Sequence, residues 1–196
     1  LPAVNDESGI EPRVDDPLFV KQDRKALLPA AARRAAALRK EIRGLAADTP
    51  RKAELLLAGG EAKDLIDTAA RDQLRAAIAE GYLAQGEAQQ ALALSAATET
   101  NAYQSLTNWN AGLAAWRLGQ LDEARRRFQA VARSASQSSW VKSAAAFWAA
   151  RVELRARRPE NYAYWLRAAA ENPRTFYGIL ARRLLGMSLA VSFDAD

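Results

Sequence analysis

The sequence predicts an all-α protein, a right-handed superhelix or α-solenoid of helical hairpins, and three observations carry that prediction. Alanine dominates an apolar fraction of 49% and β-branched residues are few, a balance that favours helix over sheet. Residues 108–133, NWNAGLAAWRLGQLDEARRRFQAVAR, read as two antiparallel helices meeting at Gly119. Ala111, Leu113, Ala114 and Leu118 give the first an apolar face; Leu121, Ala124, Phe128 and Val131, three and four residues apart, give the second its own. Residues 71–96, RDQLRAAIAEGYLAQGEAQQALALSA, repeat the hairpin. Gly86 answers Gly119, Ala79 answers Gly112 and Ala91 answers Ala124, each 33 residues apart. That spacing falls at the ~34-residue period of stacked helical hairpins, none of which buries both of its faces alone.

The repeat is tetratricopeptide-like. The small residues Gly112 and Ala124 stand where two helix backbones must approach closely. Gly86 and Gly119 stand where a helix ends in a left-handed conformation that a Cβ opposes. Taken in order, residues 1–15 carry Pro2, Gly9, Pro12 and scattered acids and read as an extended leader. Residues 16–70 read as N-terminal helices. Asp16-Pro17 opens one that runs to Leu28, and Pro29 restarts the chain to Leu45. Thr49-Pro50 opens the next, Gly59-Gly60 stops it, and a short helix spans 62–70. Residues 71–186 form the superhelix. Its third copy is distorted: one long helix over 138–157, a partner opened by Pro159, and a last helix opened by Asn172-Pro173 and stopped by Gly186. Residues 187–196 have no helical period and read as a tail or the start of a linker. The expectation is ten to eleven helices.

Composition excludes several chemistries. The chain of 196 residues has no cysteine and no histidine, which removes disulfides, thiolate and imidazole metal sites, catalytic triads and imidazole bases. No cofactor and no metal is expected. A net charge of +5 suits an acidic partner or, equally, a solvated arginine-rich helix surface. No apolar run approaches the ~18 residues of a membrane span. The chain begins at Leu1, which leaves a removed signal peptide open.

The candidate ligand groove is Trp109, Trp116, Arg117, Trp140 and Arg151. Trp109 and Trp116 are seven apart and share a helix face, which reads either as a stacking surface for sugar rings or a partner helix, or as core packing. Arg117, Arg125, Arg126, Arg127, Arg151, Arg155, Arg157 and Arg158 could form a basic stripe, but Arg125–Arg127 spread around their helix. No nucleic-acid-binding signature accompanies them, and no nucleic-acid partner is expected. The acids Glu80, Glu87, Asp122 and Glu123 occupy polar helix positions or first turns, where they stabilise the positive helix end. No residue is assigned as catalytic.

At RDQLRAAIAEGYLAQG, AGLAAWRLGQ, AAAFWAARVELRA, YWLRAAAENP and PRTFYGILARRLLG, the chain resembles the helical region of soluble lytic transglycosylases, periplasmic enzymes that cleave peptidoglycan glycan strands. The resemblance covers residues 50–186. Arg174-Thr175-Phe176-Tyr177-Gly178 matches the family's closing helix, which implies that Phe176 and Tyr177 pack as core. In that family the superhelix precedes a lysozyme-like domain bearing a catalytic glutamate followed by serine. The Glu-Ser pair here, Glu7-Ser8, stands at the other end and is followed by a different segment. The resemblance therefore implies a periplasmic, non-catalytic scaffold that positions glycan strands or partners for a catalytic domain of the parent enzyme. The alternative is a stand-alone tetratricopeptide-like adaptor that binds an envelope protein.

Overall fold

The computed structural model describes residues 30–99 and 104–188. Among the described residues are ten α-helices and no strand. They are α1 (Ala30–Leu45), α2 (Pro50–Ala58), α3 (Gly60–Leu65), α4 (Thr68–Ala84), α5 (Ala88–Ala96), α6 (Gln104–Arg117), α7 (Leu121–Arg133), α8 (Ser139–Arg155), α9 (Pro159–Ala170) and α10 (Phe176–Leu184). The leader, the helix expected from Asp16-Pro17 and residues 189–196 of the tail lie outside the described residues.

The start signals hold where a side chain or ring can act at the helix end. Pro50 and Pro159 sit in the first turns of α2 and α9, where a missing N–H costs nothing. Two expectations are corrected. The helix expected over 62–70 is broken, because Ile66 is extended and buries its side chain, and Asp67 then caps α4 by accepting from the Ala70 N–H at 2.9 Å. Gly59-Gly60 accordingly ends α2 but opens α3 at once. The last helix begins at Phe176 and not at Pro173. Thr175 Oγ1 accepts from the Gly178 N–H at 3.0 Å and donates to Ser143 Oγ at 2.9 Å, so a buried hydroxyl pair fixes the start. Gly178 is forced by the same turn, since a Cβ there would stand 1.9 Å from the Asn172 carbonyl oxygen.

The corners repeat atom for atom. At Gly86 (φ 84°) the N–H of Glu87 returns to the carbonyl of Tyr82, and at Gly119 (φ 72°) the N–H of Gln120 returns to the carbonyl of Ala115. Both are left-handed terminations that satisfy carbonyls the helix leaves open. The third hairpin turns in the same way at Arg157 (φ 58°), with the Arg158 N–H on the Glu153 carbonyl, and α10 ends likewise at Gly186. The third corner comes 38 residues after the second, which is the distortion that the sequence indicates.

Packing runs along the chain. Each helix from α4 to α9 packs on its successor, α4 also lies against α6, and α8 against α10. Gly112 and Ala124 bring α6 and α7 together: Ala124 is fully buried, and a Cβ on Gly112 would stand 2.8 Å from the Phe128 ring. Arginines tie the repeats end to end. Arg117, near the end of α6, donates to the carbonyl of Leu83 near the end of α4. Arg155, near the end of α8, donates to the carbonyl of Trp116 near the end of α6 at 3.3 Å. Both arginines stand two residues before their own corner, and both carbonyls three residues before theirs.

Candidate functional site

Four of the five candidate groove residues, Trp109, Trp116, Trp140 and Arg151, fall along one seam, between α6 and α8. Trp109 of α6 lines a groove of about 440 Å³ with Trp140, Val141 and Ala144 of α8. Further along, Trp116 of α6 meets Trp148 of α8 edge to face at 5.8 Å. Rising numbers on one helix meet rising numbers on the other, so α6 and α8 run in the same direction. Trp140, Ala144, Trp148, Arg151 and Arg155 recur along one side of α8 at helical spacing.

The two ends of this seam differ chemically. At the start of the helices, Leu106, Trp109, Trp140 and Val141 make the groove apolar, and Ser105, Gln137 and the exposed Glu80 supply its polar rim. Trp140 is 61% exposed, a large indole surface left in water. Towards the end of the helices the indoles are covered by guanidinium groups. Arg151 lies 4.4 Å over Trp148 and 5.3 Å from Trp116, and Arg155 lies 4.9 Å over Trp116. Such stacking fixes a guanidinium plane while leaving its N–H edge open to an acceptor.

The five candidate groove residues are thus divided. Trp109 and Trp140 share the groove; Trp116 and Arg151 share the stacked cluster; Arg117 is exposed and serves the carbonyl of Leu83. Trp109 and Trp116 are both partly buried. Trp109 packs edge to face on Phe128 at 5.6 Å, and Phe128 stacks on Trp148 at 5.6 Å, so the same rings are core on one side and surface on the other. Of the closing motif, Tyr177 packs on Phe147 at 5.2 Å, but Phe176 is 63% exposed. The expectation that Phe176 is core is corrected: helix α10 starts at that residue, whose ring is left exposed while Tyr177 and Gly178 of the same turn face inward.

Half of the basic stripe, Arg125, Arg126, Arg127 and Arg158, is paired with acids. Arg125 pairs with Asp122 at 3.1 Å, and both Arg126 and Arg127 pair with Glu123. Burial pushes the Glu123 carboxyl up, but the hydrogen bonds from Arg127 and Arg126 outweigh it and hold the pKa below its ordinary value. Two buried carboxylates escape sequence reasoning. Asp72 is fully buried, accepts from Arg75 at 2.6 Å, and receives the Glu99 N–H, which fastens the chain after α5 back onto α4. Glu153 is buried between α7 and α8, where Gln129 donates to it at 3.2 Å and Arg158 stands 3.7 Å away. Each lies on an apolar helix face, Asp72 with Ala76, Ala79 and Leu83 and Glu153 with Ala146, Ala149 and Ala150, so the helical period is the signal that could have found them.

Among the described residues no group of three or more acids could hold a metal ion, and no helix is long and apolar enough to cross a membrane. No protein-family model matches this chain, and neither a curated protein nor a solved structure does.

Proposed function

We propose that the chain is a right-handed α-solenoid of tetratricopeptide-like hairpins that acts as a non-catalytic, periplasmic scaffold. On this reading it is the superhelical part of a peptidoglycan lytic transglycosylase and holds glycan strands for that enzyme's catalytic domain. The observation that carries the reading is Trp140, an indole left largely in water beside Trp109 at the mouth of a groove. Flat, amphipathic rings at a groove mouth suit the apolar face of a pyranose, while Ser105, Gln137 and Glu80 offer partners to its hydroxyls. The repeated corners and the arginine ties between successive repeats support a solenoid, because they impose one geometry on consecutive hairpins.

The test is co-sedimentation of the chain with purified cell-wall sacculi, together with calorimetric titration by a neutral chito-oligosaccharide. Binding that Trp140→Ala weakens, with no release of anhydro-muropeptides by the chain itself, supports the scaffold reading. Indifference to both ligands, together with capture of one envelope protein by the same groove, would favour an adaptor, for which the exposed apolar surface of Leu106 and Trp140 also speaks.

A further inference from the structure

The geometry points to Arg151, with Arg155 beside it, as a carboxylate-binding site that gives the α6–α8 seam a direction. The carboxylate it takes is that of an acidic peptide group carried on the strand. This deepens the glycan-strand reading and rests on it only for the identity of the strand.

Six arginines among the described residues are paired with acids: Arg34 with Glu61, Arg75 with Asp72 and Glu99, Arg125–Arg127 with Asp122 and Glu123, and Arg158 with Asp122 and Glu153. Arg117, Arg151 and Arg155 enter no ion pair among the described residues. Arg117 and Arg155 each spend one N–H on a helix carbonyl, whereas Arg151 makes no hydrogen bond to the protein among the described residues. Its guanidinium carbon instead lies 4.4 Å from the centre of the Trp148 ring and 5.3 Å from that of Trp116. An arginine fixed by stacking, exposed and without an acid has its planar fork free for a carboxylate, the geometry in which such pairs are strongest. Arg155 is one helical turn further along α8, on the same face, so two cations converge on the same stretch of seam.

The opposite end of the seam repels the same group. Glu80 lies at the rim of the apolar groove, exposed and in no ion pair among the described residues. From Trp140 to Arg155 the seam runs about 22 Å along α8 at 1.5 Å per residue. A ligand with a ring system at one end and a carboxylate at the other is therefore seated one way round. Charge complementarity at the arginine end, and Glu80 at the other, make the direction.

The experiment is calorimetric titration of the full chain with a short glutamate peptide, its glutamine counterpart and a neutral chito-oligosaccharide, with indole N–H signals followed by NMR. The glutamate peptide should bind, move the Trp116 and Trp148 signals, and weaken as salt rises; its glutamine counterpart should not bind. Arg151→Gln, an exposed substitution, should weaken the glutamate peptide about tenfold, with Arg151→Lys in between, because a point charge replaces the fork. Neither should change oligosaccharide binding at Trp140. Equal binding of the two peptides, or a glutamate peptide indifferent to Arg151→Gln, overturns the inference. Peptide binding without oligosaccharide binding upholds it and removes the glycan-strand reading instead.

Discussion

Helices α1–α5 are closed by aliphatic side chains, and helices α6–α10 by rings. The first cluster is built of Leu38, Ile42, Leu57, Ile66, Leu74, Ile78 and Leu83, with Tyr82 its one aromatic member. The second is built around Phe128, Phe147 and Trp165, with Trp109, Trp116, Trp148 and Tyr177 packed against it. They meet within α6, where Ala114 belongs to one and its neighbour Ala115 to the other. The difference bears on function. Branched aliphatic chains interdigitate and fill a seam, whereas a plate-like indole can pack by one edge and leave its other side at the surface. Trp109 and Trp116 do this on α6, which is why the groove and the stacked arginines lie in the second half.

The comparison is broken most severely at Phe128, which is fully buried, faces Gly112 and links Trp109 to Trp148. Phe128→Ala should cost ~3–5 kcal/mol, against ~0.5–1.5 kcal/mol for Ile78→Val at an equally buried aliphatic position. Urea melts give the two values. Hydrogen exchange should show the loss concentrated in α6–α10. An even loss across all ten helices would mean that the two clusters do not act separately.

The corners provide a second contrast, between a glycine and an arginine in the same left-handed geometry. Gly119→Ala should destabilise by ~1–2 kcal/mol, because a Cβ is opposed there. Arg157→Gly should do the reverse and stabilise by roughly 0.5–1 kcal/mol, relieving strain that exceeds the extra entropy glycine loses on folding. Thermal melts decide. A destabilised Arg157→Gly would show that the arginine side chain holds the third corner by contacts that outweigh its backbone.

These contrasts also show how far the sequence could be read. The corners at Gly86 and Gly119, the close approach at Gly112 and Ala124, and the all-helical class follow from local rules: glycine tolerates positive φ, and small residues permit contact. The corner at Arg157 carries no such mark, since nothing local distinguishes an arginine that will be left-handed. The split at Ile66 was hidden because its helical pattern continues through it, and only burial of that side chain pulls the backbone into an extended form. Trp109 and Trp116 were legible as one face. Their division between a groove and an arginine-covered cluster was not, because the partners Trp140, Trp148, Arg151 and Arg155 come from another helix. The same holds for the Arg117 and Arg155 ties, which join residues more than a full repeat apart.

The smallest effects sharpen the comparison by acting at opposite ends of the pH scale. In the first half, burial pushes the Tyr82 phenol well above its ordinary value of 10.0, helped by its hydrogen bond to Glu54 at 2.5 Å and by that carboxylate's charge. A raised value means stability that is fully present below pH 10.0 and lost as pH climbs towards the folded value. In the second half, Glu123 is depressed below 4.5 in the net, so its contribution is present above pH 4.5 and lost as pH falls through the folded value. The Glu123 contribution should be about 1 kcal/mol or less, since the arginines that hold it are near the surface. Tyr82→Phe should flatten the alkaline limb of a stability-against-pH curve without touching the acid limb. Glu123→Gln should flatten the acid limb alone. If each variant moved both limbs, the two titrations would be coupled through α6, and the boundary between Ala114 and Ala115 would not separate the halves energetically.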